Sequence, residues 1–192
     1  MKKEILIFIS ENYADWEGAY VCSELNKAET NFVIRTLAVS NTPVKSMSGF
    51  TVLPDYTVNE LPASFEMLIL IGGTSWSKGK NESVQPVVDL CVNMKIPVAA
   101  ICDACTFLAD KGYLDRIEHT GNSCAYLEEF APHYKGAKHF IEKQAVSASG
   151  FITANGTAAV EFAKEILKYL EVMQQDRLEN WYQKFKVGFY KV

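Results

Sequence analysis

Three short runs of almost unbroken apolar residues constrain this chain most: Ile5 to Ile9, Met67 to Ile71 and Val98 to Ile101. A strand with one wet face alternates apolar and polar residues, whereas a strand apolar at every position is covered on both faces. Segments with helical spacing lie between these runs. Asp15 is the expected N-cap of a helix reaching about Lys27, with Trp16, Ala19, Tyr20 and Leu25 turned inward. Val84 to Met94 reads as helix, as does the stretch begun by Thr106 to Ala109 and closed by Gly112. Strands of this kind alternating with helices give a parallel sheet with helices on both faces.

The remaining segments fill in that plan. Phe32 to Val39 alternates before the turn Asn41-Thr42-Pro43, and Val44 to Val52, broken at Ser48-Gly49, reads as a small hairpin. Asp55, Asn59 and Pro62 mark a surface connection. Ala145 to Ser147 and Phe151 to Thr153 flank the turn Ala148-Ser149-Gly150, and Ala154-Asn155-Gly156-Thr157 opens a long helix to about Val172. The aromatic-rich stretch from Gln174 to Val192 reads as a helix packed on the domain or on a partner subunit. A chain of 192 residues is expected to form one domain, 1–192, with about 173–192 as a C-terminal helical extension.

Charge and cysteine usage narrow the function. A net charge of −4 argues against nucleic acid as a partner, because phosphate binding needs a basic surface. No apolar run approaches the ~18 residues of a membrane span, so no membrane is expected as a partner. The first apolar stretch ends at Glu11, so it reads as a strand and not as a signal peptide, and a cytoplasmic location is expected. Cys22, Cys91, Cys102, Cys105 and Cys124 are an odd set without a secretory signal, which favours reduced thiols over a disulfide framework.

In parallel sheets, ligands bind beyond the carboxyl ends of the strands. Two such ends stand out. At Ile71-Gly72-Gly73-Thr74, paired glycines let the backbone approach a substrate closely. At Ala99-Ala100-Ile101-Cys102-Asp103-Ala104, small residues precede a thiol at a strand-to-helix turn, where a nucleophile is lifted out of the sheet and a helix N-terminus lowers a thiol pKa. Gly73 and Asp103 N–H groups are placed to form an oxyanion hole. A merely structural cysteine at a strand end fits the same spacing.

These residues, together with Asp15-Trp16-Glu17-Gly18, Leu70-Ile71-Gly72-Gly73, Ala154-Asn155-Gly156-Thr157, Gly112-Tyr113-Leu114 and His119-Thr120-Gly121-Asn122, resemble the DJ-1/PfpI (ThiJ) superfamily of class I glutamine amidotransferase-like proteins. The order and spacing agree over about residues 3 to 172. The resemblance extends to a bacterial branch called ThiJ/PfpI-like proteins or proteases, in which the ending Gly188-Phe189-Tyr190 also occurs. It implies a flavodoxin-like three-layer α/β sandwich with a mostly parallel central sheet, a cysteine nucleophile elbow at Cys102, a carboxyl partner at Glu17 and a homodimer. A carboxyl group half-buried beside a thiol tends to keep its proton and can donate it in a hydrogen bond to a thiolate or a sulfinate.

The sequence also departs from the family. Peptidase-like members carry histidine directly after the cysteine, where this chain has Asp103; the glyoxalase and deglycase position falls on Asn122; and no His-x-Glu pair of the amidotransferases is present. His119 is the candidate base, Cys105 and Cys124 are candidate resolving thiols, and Gly72, Thr74, Trp76 and Asn122 are candidate substrate-binding residues. Neither metal nor cofactor is implied, since the histidines and cysteines lack ligand spacing. The expected partner is a small substrate or an oxidant. Three activities follow: a cysteine-dependent hydrolase or hydratase acting on a small electrophile, with Glu17 as general acid; a redox sensor without turnover; and a cysteine peptidase or deglycase, which the missing histidine disfavours.

Overall fold

The computed structural model describes residues 2–190; the last two positions of the aromatic tail, Lys191 and Val192, lie outside them. In chain order the strands are β1 (Lys3–Phe8), β2 (Phe32–Ala38), β3 (Val44–Lys45), β4 (Thr51–Val52), β5 (Tyr56–Thr57), β6 (Met67–Leu70), β7 (Val98–Ile101), β8 (Ala145–Ala148) and β9 (Phe151–Ala154). The α-helices are α1 (Asp15–Leu25), α2 (Gln85–Met94), α3 (Asp103–Asp110), α4 (Cys124–Phe130), α5 (Ala159–Tyr169) and α6 (Gln175–Lys186). Seven strands form one sheet in the order β5-β2-β1-β6-β7-β9-β8, parallel except for the β8–β9 hairpin. Strands β3 and β4 pair antiparallel as the expected small hairpin.

The apolar runs are continuous because each strand feeds two cores. Ile5 and Ile7 of β1 and Met67 and Ile69 of β6 face Val21 and Leu25 of α1, Phe162 and Ile166 of α5, and Leu178 and Trp181 of α6. Leu6, Phe8, Leu68 and Leu70 face the other way, onto Val88 and Cys91 of α2, Leu108 of α3 and Leu127 of α4. This is the three-layer, flavodoxin-like α/β sandwich expected. Fully burying each such side chain contributes ~1.5–3 kcal/mol, so the two-sided packing is what holds these strands in the centre. No described helix is long and apolar enough to cross a membrane.

Four local expectations are corrected. Asp15 does not cap α1: Ala14 stands at the N-cap position, while the Asp15 carboxylate accepts the Ser48 N–H and ties the helix to the β3–β4 hairpin. The buried face of α1 is Glu17, Gly18, Val21, Glu24 and Leu25, whereas Trp16 and Ala19 are exposed. Two carboxylates and a glycine sit on the inward stripe, so reading hydropathy alone selects the wrong face. Helix α5 starts at Ala159 and not at the preceding motif, because the Asn155 carboxamide accepts the Thr157 N–H and hydroxyl and forms a turn there. The connection around Asp55 contains the edge strand β5, which pairs with β2.

The aromatic tail packs on its own chain. Leu178 and Trp181 are buried, Tyr20 of α1 meets the Trp181 and Phe185 rings edge-on, and Lys164 of α5 pairs with Glu179 of α6.

Candidate active site

Strand β7 ends in small, fully buried residues, and Cys102 follows with φ 60° and ψ −130°, a conformation that L-residues rarely adopt. Such a backbone costs ~1–3 kcal/mol and persists only when its surroundings enforce it. Here they do: the Cys102 N–H donates to Ala154 C=O of β9 at 3.0 Å, and its C=O accepts the Cys105 N–H at 3.0 Å as α3 begins. The chain therefore turns sharply off the sheet at the thiol.

Two glycines make room for that side chain. A Cβ on Gly72 would stand 2.6 Å from Cys102 Cβ and 2.7 Å from Glu17 Oε2, and one on Gly156 would stand 2.8 Å from Cys102 Sγ. Gly73, at φ 141°, lies against the backbone of Asn12 and Tyr13. Ala14 N–H donates to Gly72 C=O and Thr74 N–H to Asn12 C=O, which leaves the Gly73 N–H outside this short ladder. The role of Gly156 as a wall of the thiol site carried no signal in the sequence beyond its motif.

Glu17 reaches the thiol from the first turn of α1. Only 1% of its surface is exposed, its Oε2 accepts the Gly72 N–H at 2.8 Å, and both that oxygen and Cys102 Cβ crowd the Gly72 backbone, which sets the carboxyl beside the thiol side chain. Burial pushes its pKa up to about 7 against the opposing pull of the Gly72 N–H and the neighbouring Cys102 thiol, and the nearby Asp103 charge adds to the rise. The thiol is not the acidic group expected at a helix N-terminus: burial first, then the Glu17 and Asp103 charges, push Cys102 up to about 12. An eight-residue helix end does not offset burial and two acidic neighbours.

Asp103, Asn122 and Tyr126 border the thiol on its open side. Asp103 Oδ1 lies 4.0 Å from Cys102 Sγ and accepts the Tyr126 O–H at 2.9 Å and Asn122 Nδ2 at 3.3 Å. Asn122 Nδ2 also lies 3.7 Å from Cys102 Sγ, and its Oδ1 accepts the Gly156 N–H at 2.9 Å. Burial raises the Asp103 pKa. Tyr126 was invisible to sequence reasoning, because a lone tyrosine on a short helix is not marked by spacing.

Trp76 donates its indole N–H to Ile71 C=O at 2.8 Å, packs between Phe8 and Phe107, and lines a cleft with Asp103 and Tyr126. Thr74 is exposed. His119 does not serve the thiol. It is fully buried, with Nδ1 on Ile117 C=O and Nε2 on Tyr134 O–H, between the Tyr134 and Phe140 rings. Cys105 is also fully buried, and its thiol donates to Ala100 and Ala154 C=O, so it is held away from a partnership with Cys102. Cys124 borders a second cleft with Asn122, and all five cysteines are free thiols. Among the described residues no cluster of three or more His, Cys, Asp or Glu is arranged to hold a metal.

A mostly parallel α/β sandwich whose central strand ends in a cysteine at positive φ, beside a buried glutamate, defines a cysteine-elbow protein. The chain belongs to the DJ-1/PfpI family, whose sequence model matches residues 3–169. It is 39% identical over 188 residues to the uncharacterized protease YdeA of Bacillus subtilis, covering 98% of this chain and 93% of that one. The thiJ/pfpI family protein from Bacillus anthracis superposes with a TM-score of 0.89 at 33% identity, covering 97% of this chain and 91% of that chain. The DJ-1 superfamily protein Atu0886 from Agrobacterium tumefaciens gives the same TM-score and identity, covering 98% of this chain and 100% of that chain.

Proposed function

We propose that this protein is a cysteine-dependent hydrolase or hydratase acting on a small electrophilic substrate, with Cys102 as nucleophile and Glu17 as its proton partner. The observation that carries this reading is the meeting of the buried Glu17 carboxyl and the Cys102 side chain at Gly72, where an added Cβ would stand 2.7 Å from Glu17 Oε2 and 2.6 Å from Cys102 Cβ. A carboxyl with a pKa of about 7 is half ionised near neutrality and so can accept a proton and return it; with the thiol held near 12, that transfer is uphill on its own and has to be coupled to formation of the sulfur–carbon bond. Glu17 takes the thiol proton as sulfur bonds to the electrophilic carbon, then returns it to the atom that gains the electron pair. The N–H groups of Gly73 and Asp103 are the donors offered to the developing anion.

The peptidase label carried by related proteins finds no support in an imidazole. His119 is engaged at both nitrogens, and His133 pairs with the Asp110 carboxylate. A homodimer belongs to the same proposal, supported by the exposed apolar side chains Trp16, Met47, Phe50 and Leu53 on α1 and the β3–β4 hairpin. Light scattering that gives a monomer mass overturns the dimer. For the enzyme, turnover of methylglyoxal and of small isocyanides is measured with wild type and Cys102→Ala. Turnover that needs Cys102 is expected, and equal rates in both proteins overturn the reading.

A further inference from the structure

Asp103, whose Oδ1 lies 4.0 Å from Cys102 Sγ, also lines a cleft of about 170 Å³ between α3, α4 and the Trp76 turn. Four aromatic rings line it: Trp76, Phe107, Tyr126 and Phe130. Its carboxylates are Glu82, Asp103 and Asp110, and the Lys111 ammonium bridges Glu82 and Asp110 at the far end. Asp110 also meets the His133 ring. Asp103 stands apart from that neutralised end. Among the described residues its contacts are the Tyr126 hydroxyl, the Asn122 carboxamide and the thiol itself, none of them cationic. Thr106, also lining the cleft, has its hydroxyl oxygen buried without a hydrogen-bond partner among the described residues.

We infer that this cleft is the recognition subsite of the Cys102 reaction and takes a substrate carrying a cationic amino group a few atoms from its electrophilic carbon. The inference rests on the nucleophile reading above and names the substrate class for it. The physical case is complementarity. Aromatic faces beside a carboxylate attract an ammonium group through the ring quadrupole and through direct charge. The same arrangement repels anions, because Glu17, Asp103 and the thiol bring only negative charge or protons to the site. Asp103 Oδ1, 4.0 Å from Sγ, joins the two halves: an ammonium held on Asp103 places a carbon a short arm away at the sulfur. The residue that replaces the family's histidine thereby acquires a task of its own, in selecting the substrate.

The test uses two chloroacetamides of equal length, N-(2-aminoethyl)chloroacetamide and N-(2-hydroxyethyl)chloroacetamide. In each reaction a sulfur–carbon bond forms, the carbon–chlorine bond breaks, chloride departs and Glu17 accepts the thiol proton. Rates at Cys102 are followed by peptide mass spectrometry, and the ratio of cationic to neutral probe is divided by the same ratio for a free thiol. Taking the ratio cancels any change in the reactivity of the thiol itself. A preference of about tenfold at low ionic strength is expected for wild type. It should fall to near one in Asp103→Asn, fall severalfold in Phe130→Ala, and weaken in 0.5 M salt, a condition chosen for its ~4 Å screening length. A wild-type ratio near one, with brisk labelling of Cys102 by the neutral probe, overturns the subsite and leaves the nucleophile standing. A preference that survives both substitutions overturns the assignment to this cleft. Failure of both probes to label Cys102 ahead of Cys22 and Cys124 overturns the nucleophile reading and the subsite with it.

Discussion

The Gly72 N–H donates to Glu17 Oε2 at 2.8 Å, so the strand end that crowds Cys102 also holds the carboxyl that faces it. One backbone position thereby sets the geometry of both side chains. A carboxylate held by a backbone donor would ordinarily be more acidic, yet burial outweighs that donor and leaves Glu17 at about 7.

The first prediction concerns stability. The folded Glu17 carboxyl binds its proton up to about pH 7, and the unfolded one releases it near 4.5. Between these values the folded state holds more protons, so Glu17 makes stability fall as pH rises from about 4.5 to 7 and not below. The full effect is about 3 kcal/mol. Urea unfolding of wild type and Glu17→Gln at pH 4 and pH 8 should show the variant gaining relative to wild type at the higher pH. An equal difference at both values contradicts a raised pKa.

The second concerns reactivity. Labelling of Cys102 by iodoacetamide should rise through an inflection near pH 7 in wild type, where Glu17 becomes able to accept the thiol proton. Glu17→Gln removes the acceptor while burial and Asp103 still hold the thiol pKa high. The variant should lose that inflection and react about tenfold or more slowly at pH 7.5. Rates measured from pH 5.5 to 9 decide it.

The glycine walls separate fold from chemistry. Gly72→Ala drives a methyl into Cys102 Cβ, Glu17 and the Ile101 carbonyl, and should cost about 1–3 kcal/mol of stability as well as the site. Gly156→Ala meets only side-chain atoms, Cys102 Sγ first and then Cys102 Cβ and Asn122 Oδ1, so thermal melting should change less while labelling of Cys102 falls sharply. Equal losses of stability in the two variants would argue against this division.

His119→Ala should unfold more easily by about 3 kcal/mol, because it strands the Tyr134 hydroxyl and opens a cavity beside Phe140. Its pKa is lowered by burial, so the folded state protonates later than the unfolded one as pH falls, and stability drops below about pH 6.5. In folded variant protein, labelling of Cys102 should match wild type. A tenfold loss would restore His119 as a base.

Much of this was legible in the sequence. The apolar runs at Ile5–Ile9, Met67–Ile71 and Val98–Ile101 encode a sheet buried on both faces, because every residue in them must leave water on one side or the other. The Ala99-Ala100-Ile101-Cys102 pattern and the Gly72-Gly73 pair marked the two strand ends that meet at the thiol. Local pattern could not reveal which face of α1 is buried, since that face carries Glu17 and Glu24 and leaves Trp16 outside.

Periodicity, and the residues that a sharp turn requires, suffice to specify the layered α/β architecture and the thiol at a strand end. The surroundings of that thiol come from long-range folding. It brought Glu17 and Cys102 together at Gly72, at the carboxyl ends of the central strands, set Asn122 and Tyr126 beside Asp103, and withdrew His119 and Cys105 into the interior. It also reversed the expectation of an acidic thiol, because a pKa depends on burial and on charges from distant parts of the chain, and neither is written in local spacing.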